Sequence, residues 1–153
     1  MILYHYTARQ NLPTIMENGL VHTVSFTCEK FEEFLHKSDD AVIDRRKCVF
    51  LTPHPNPLNE SSEDIVRLEI DSDWVRSQEA YIANHALVDS IKQTLDEFDR
   101  IPEFCSFCKT RNTLYQNRDR YWASISEFPA GEMYDESEIM VPRTIPPAYI
   151  ETS

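Results

Sequence analysis

Glycine is almost absent from this chain: only Gly19 and Gly131 occur among its 153 residues. Phosphate sites built on glycine-rich loops need several glycines within a few residues, because the backbone must turn tightly and approach the phosphates closely. The chain has neither a G-x-G-x-x-G fingerprint nor a Walker loop. Folds that bind nucleotides through such loops are therefore excluded, and any dinucleotide must be held in another way.

The order of the apolar segments predicts an α+β fold in one domain spanning residues 1–153. Strands are predicted at Ile2–Tyr6, Cys48–Thr52, Ile65–Ile70, Arg120–Ser126, Ser137–Val141 and Ile145–Ile150, and helices at Glu29–Lys37 and Gln78–Arg100. A further helix is expected after the first strand, with Thr7 and Gln10 as its capping box and Gly19 as its C-cap. Strands and helices do not alternate strictly, which disfavours a doubly wound parallel sheet.

The net charge of -11 argues against broad, non-specific nucleic-acid binding, although it leaves room for a small basic groove. The first residues lack a secretory signal pattern, and no apolar run approaches the ~18 residues of a membrane span. We therefore expect a cytoplasmic protein without a membrane partner. Its cysteines, Cys28, Cys48, Cys105 and Cys108, are expected to be reduced thiols.

Three groups of residues are candidates for chemistry. His5 and Thr7 offer a ring and a hydroxyl at a predicted strand-to-helix corner, although a half-buried histidine beside a helix cap explains them equally simply. Cys105 and Cys108 form a C-x-x-C pair, but no second pair completes a zinc site, and we expect no metal.

The third group is the carboxylate pair Glu136 and Glu138, at the start of a predicted strand. Side chains two residues apart in a strand point to the same face, so the two carboxylates are expected to lie side by side. A carboxylate at a strand edge suits the stabilisation of an oxocarbenium-like cation, as in the cleavage of glycosidic bonds. The simpler interpretation is a solvated acidic loop joined to an edge strand.

Taken in order, segments at both ends of the chain and one middle strand resemble the ADP-ribosyltransferases, most closely the DarT group, which modifies DNA. The segments are Leu3–Thr7 (LYHYT), Asn11–Ile15 (NLPTI), Gly19-Leu20, Val49–Thr52 (VFLT), Glu138–Pro142 (EIMVP) and Ile145–Ile150 (IPPAYI). The first three are similar to the first strand and helix of the family's bacterial toxins. The segment at Glu138 resembles the strand that begins with the family's catalytic glutamate.

The resemblance implies a small fold of two packed antiparallel or mixed sheets with flanking helices, which binds NAD as a substrate without a glycine-rich loop. It implies that Glu138 is catalytic and that Glu136 completes an E-x-E pair directed at the acceptor. The implied NAD-binding residues are His5 at the adenosine ribose, Thr7 and Asn11 at the nicotinamide end, Tyr6 on the first strand, Thr52 on the middle strand, and Arg45 or Arg46 as the cofactor-binding arginine.

We therefore expect a mono-ADP-ribosyltransferase, in the manner of a toxin or effector, that acts on a macromolecule. The charge slightly favours a protein side chain as acceptor, and a base in single-stranded nucleic acid is the alternative. Three further hypotheses remain open: a member of the family that binds NAD or a partner without catalysis, an unrelated acidic module that neutralises a basic partner, and a zinc-stabilised interaction domain.

Overall fold

The computed structural model of the chain describes residues 2–22, 44–98, 116–117, 122–124 and 137–152. Its strands are β1 (Ile2–Ala8), β2 (Val49–Leu51), β3 (Ile65–Asp71), β4 (Tyr81–Asn84), β5 (Trp122–Ser124), β6 (Ser137–Val141) and β7 (Ile150–Thr152). Its α-helices are α1 (Leu12–Asn18), α2 (Pro57–Glu60), α3 (Ser72–Ser77) and α4 (His85–Phe98), and 3-10 turns lie at Arg9–Asn11, Arg45–Lys47 and Pro147–Tyr149. The predicted mixed α+β class is confirmed.

In the described ranges the strands form two small antiparallel sheets, one with the order β1-β3-β7 and the other with the order β2-β6-β4-β5. The edge strands of the two sheets meet at a backbone bridge between Tyr4 and Thr52. Tyr4 N donates to Thr52 O over 2.8 Å, and Thr52 N donates to Tyr4 O over 2.9 Å. The end of β2 therefore connects the two sheets.

Strand β6 is covered on both faces. Ile139 and Val141 belong to a buried cluster shared with the β1-β3-β7 sheet, whereas Met140 belongs to a second cluster with Val88 and Ile91 of α4. Successive side chains of a strand point to opposite faces, so each cluster takes alternate residues of β6. Glu138 is the second residue of β6, and the next three side chains of the strand are buried.

The predicted start of the first helix is wrong. Thr7 and Ala8 continue β1, because they pair with Val66 and Ile65 of β3, so Thr7 does not cap a helix. Helix α1 begins only at Leu12, after the 3-10 turn. The predicted C-cap is confirmed, since the Gly19 N–H donates to the Ile15 carbonyl over 2.8 Å.

The helix predicted over Gln78–Arg100 is wrong in its first part. Tyr81–Asn84 form β4, which lies between β6 and β5, and the helix begins at His85. Tyr81, Ile82 and Ala83 are buried in succession, as expected for a strand covered on both faces. The Asn84 side chain accepts a hydrogen bond from Ala86 N over 3.1 Å, which fixes the start of α4.

The strand predicted at Ser137–Val141 is confirmed with the same bounds, and those predicted at Cys48–Thr52 and Ile65–Ile70 are confirmed with bounds that differ by one residue at one or both ends. The strand predicted at Arg120–Ser126 is confirmed over Trp122–Ser124, and its other residues lie outside the described ranges. The strand predicted at Ile145–Ile150 is wrong as a continuous element: Ile145 pairs alone with Leu20, a 3-10 turn follows, and β7 begins at Ile150. The helix predicted at Glu29–Lys37 lies outside the described residues. Within the described ranges, no helix combines the length and apolar character needed to span a membrane.

Candidate functional site

A cleft of about 520 Å³ opens where β2 leaves one sheet and joins the other. Leu51 is the last residue of β2 that pairs with β6, opposite Ile139, and the next residue, Thr52, pairs with Tyr4 of β1. The cleft is lined by Tyr4, His5, Tyr6, Phe50, Leu51, Thr52, His54, His85, Ser137 and Glu138. Its volume is in the range of small-molecule sites, about 300–1,000 Å³.

His5 lies on the β1 side of this cleft. Its Nδ1 is 2.9 Å from the carbonyl oxygen of Phe50. A carbonyl only accepts hydrogen bonds, so Nδ1 carries the proton and Nε2 keeps the lone pair. Burial lowers the pKa of His5 below its ordinary value, and the bond to Phe50 offsets this only in part. The ring is therefore neutral at physiological pH, and Nε2 is a hydrogen-bond acceptor.

Glu138 lines the cleft from β6 and pairs with Arg45. The Arg45 Nη1 donates to Glu138 Oε2 over 2.9 Å, and the side chains of Arg45 and Glu138 are only 6% and 21% exposed. Arg45 lies in the 3-10 turn just before β2, with its guanidinium 4.9 Å from the ring centre of Phe50 and 3.5 Å from the sulfur of Met140. The guanidinium is thus packed beneath the cleft and holds one oxygen of the carboxylate.

Two other predicted residues also line the cleft. Tyr6 accepts a hydrogen bond from Asn56 N over 2.7 Å through its hydroxyl, which in turn donates to Glu60 over 3.1 Å. Burial raises the pKa of Tyr6 above its ordinary value. Thr52 exchanges hydrogen bonds between its hydroxyl and the backbone of His54. The structure therefore brings four predicted residues together: His5, Tyr6, Thr52 and Glu138.

Other predicted residues lie elsewhere or outside the described ranges. Thr7 accepts a hydrogen bond from Asn11 over 3.2 Å, and neither residue lines the cleft. Arg46 donates to Asp44 over 2.9 Å and is likewise outside the lining. Glu136 lies outside the described residues, as do Cys105 and Cys108. The roles assigned to these residues stay predictions.

Two cleft histidines, His54 and His85, were not predicted as site residues. His54 follows the middle strand by a few residues, and such strand ends are frequent positions for ligand-binding groups. His85 lies within the single helix predicted over Gln78–Arg100. The signal that locates it correctly is Asn84, a preferred residue at helix starts. Among the described residues, no group of three His, Cys, Asp or Glu side chains is arranged to hold a metal ion.

A scan against protein-family models and a search of curated protein sequences both give no match for this chain. The cleft combines a neutral imidazole acceptor, a carboxylate held by a buried guanidinium, and hydroxyl groups. Such a set suits a polar ligand that carries both hydroxyls and a centre that becomes positively charged.

Proposed function

We propose that this chain is a mono-ADP-ribosyltransferase that cleaves NAD between nicotinamide and ribose and transfers ADP-ribose to a macromolecular acceptor. The observation that carries the proposal is that His5 and Glu138, from opposite ends of the chain, line one cleft between two sheets. The resemblance to ADP-ribosyltransferases assigns His5 to NAD binding and Glu138 to catalysis. The two antiparallel sheets likewise support an ADP-ribosyltransferase-like fold.

The state of His5 supports the binding of a ribose. Its Nδ1 proton is used by the Phe50 carbonyl, so Nε2 accepts a hydrogen bond from a ligand hydroxyl. Burial of the ring keeps it neutral by lowering its pKa, which preserves this acceptor. Since the bond to Phe50 also fixes the ring plane, the acceptor is oriented before the ligand arrives.

The state of Glu138 supports the chemical step. When the bond between nicotinamide and C1′ of ribose breaks, its electron pair leaves with the nicotinamide nitrogen and positive charge develops at the sugar. A carboxylate beside that carbon stabilises the charge, most effectively where water is excluded. Because Arg45 holds Oε2, the carboxylate has a fixed orientation, and Oε1 is the oxygen that this bond does not use.

A protein side chain is favoured as the acceptor. The net charge of -11 opposes the approach of a polyanion such as nucleic acid. A base in single-stranded nucleic acid remains the alternative acceptor. In either case the reaction needs only the NAD-binding residues for its first step, so NAD cleavage tests the proposal without knowledge of the acceptor.

The test measures the release of nicotinamide from NAD by the purified protein, with and without cell lysate. Liquid chromatography quantifies the released nicotinamide. We expect Glu138→Gln to reduce release at least about 100-fold, the scale at which removal of one charge-stabilising group affects catalysis. Glu17→Gln, which changes an exposed carboxylate on α1, is the matched control and should leave the rate unchanged.

Two results would change the conclusion. NAD binding, measured by calorimetry, without release under any condition would indicate a non-catalytic NAD-binding protein. Absence of both binding and release would overturn the NAD-based proposal and favour an acidic module that binds a basic partner.

A further inference from the structure

His85 is a cleft residue that the proposed cleavage of NAD does not use. It is the first residue of α4 and directly follows β4, in which Ala83 pairs with Glu138 and Asn84 pairs with Ser137. His85 is thus two residues beyond the partner of Glu138. The His85 ring lines the cleft and is 42% exposed.

His85 has a carboxylate partner of its own. Its Nε2 is 3.6 Å from Oδ2 of Asp89, one turn further along α4. This distance is within the range of an ion pair. A histidine in the cleft with a carboxylate close to one ring nitrogen is suited to accept a proton during a reaction.

The other charged and titratable groups of the cleft are suited to different roles. His5 has its Nδ1 proton bound to Phe50 and is a weakened base, because burial lowers its pKa. Glu138 is held by Arg45, and its place beside the sugar is the one required for cleavage. His54 follows β2, on the side of the cleft where Thr52 joins β1, whereas His85 adjoins the strand that pairs with β6.

We propose that His85 is the general base that deprotonates the acceptor, and that the acceptor attacks through a group that has a proton to lose, such as a hydroxyl. The inference rests on the proposed cleavage of NAD. As the bond from C1′ to nicotinamide breaks, the acceptor oxygen forms a bond to C1′, and its proton moves to the ring nitrogen of His85 that does not face Asp89. The proton then passes to solvent. A carboxylate acceptor would need no such base, because it has no proton to lose.

Small alcohols test this step without the natural acceptor. The full chain is incubated with NAD and either ethanol or the more acidic trifluoroethanol, and the alkyl ADP-ribose products are measured by mass spectrometry. In His85→Ala we expect alcohol transfer to fall by about 100-fold and to depend more strongly on the acidity of the alcohol. Added imidazole should restore much of the loss, which it cannot do if the ring only supports the fold. His22→Asn changes an exposed histidine outside the cleft and is the matched control.

The outcomes separate this inference from the proposed function. Nicotinamide release that requires Glu138, combined with alcohol transfer that is unchanged in His85→Ala, would overturn the inference alone. A loss in His85→Ala that imidazole does not restore, with unchanged circular dichroism, would also overturn it. Absence of NAD cleavage by the wild-type chain would overturn the proposed function and the inference with it.

Discussion

Replacing Glu138 by alanine removes an ionised carboxylate from a guanidinium that is almost completely buried. The Arg45 side chain is 6% exposed, and its Nη1 lies 2.9 Å from Glu138 Oε2. Breaking a buried ion pair from one side typically costs about 3–5 kcal/mol, because the remaining charge loses its interaction with that carboxylate in a medium of low dielectric constant. We expect Glu138→Ala to lower the free energy of unfolding by about that amount.

Removing the arginine of the pair should lower the free energy of unfolding by less than removing the glutamate. In Arg45→Met the carboxylate remains, but Glu138 is 21% exposed and lines the cleft, so water can hydrate it. Methionine also keeps much of the apolar packing that the arginine stem makes near Phe50 and Met140. The expected cost is about 1–3 kcal/mol, the range for a buried polar group that loses its hydrogen-bond partner.

Urea unfolding, followed by tryptophan fluorescence and circular dichroism, measures both costs. With a slope near 2 kcal/mol per M, the Glu138→Ala midpoint should fall by roughly 1.5–2.5 M. The variant that combines Glu138→Ala with Arg45→Met should lose less free energy of unfolding than the two single losses added together, by roughly 1–3 kcal/mol. Glu17→Ala, on the exposed face of α1, should stay within about 0.5 kcal/mol of wild type.

Two results would refute this reasoning. Stability of Glu138→Ala equal to that of wild type would mean that the pair does not contribute in solution. A larger loss in Arg45→Met than in Glu138→Ala would mean that the difference in burial between the two side chains does not set the cost.

Two further predictions concern His5 in the cleft and Gly19 at the end of α1. Burial lowers the pKa of His5 below 6.5, so the unfolded chain takes up a proton at a higher pH than the folded chain does. The free energy of unfolding should therefore fall as the pH drops below about 6.5, and it should fall less in His5→Gln. Urea midpoints that depend equally on pH in the wild-type chain and in His5→Gln would contradict this prediction. In Gly19→Ala, a Cβ would lie 2.5 Å from the Ile145 carbonyl oxygen at a φ of +91°. We expect a cost of more than about 1 kcal/mol, seen as a melting temperature at least about 2–4 °C lower; an unchanged melting temperature would contradict it.

Local periodicity was sufficient where a strand alternates cleanly. In β3 the side chains of Val66, Leu68 and Ile70 are buried, as the alternation predicted, because side-chain direction in a strand repeats every two residues. Gly19 was equally predictable, since a residue in the left-handed region after a helix favours glycine. Both signals are contained in a few neighbouring residues.

The errors occurred where pairing with a distant strand decided the structure. One long helix explains the spacing of Tyr81, Ile82, His85 and Val88 as well as a strand followed by a helix does. The pairing of β4 with β6 and β5 decides between the two structures. The local sequence around Thr7 is typical of a helix cap, but Thr7 pairs with Val66 and continues β1. The proximity of His5 and Glu138 was expected only from the family resemblance, because neither periodicity nor spacing relates opposite ends of a chain.

The charge of the cleft differs from the charge of the whole chain, and this difference bears on the choice of ligand. The net charge is -11, yet the described lining of the cleft includes one carboxylate, and that carboxylate is paired with a guanidinium. Charges further than about 8 Å away are largely screened at physiological ionic strength. A dinucleotide in the cleft would therefore experience mainly this local, nearly balanced set. A long polyanion would also lie along the outer surface of a chain whose net charge is -11, so the charge distribution supports the proposed binding of NAD over that of nucleic acid.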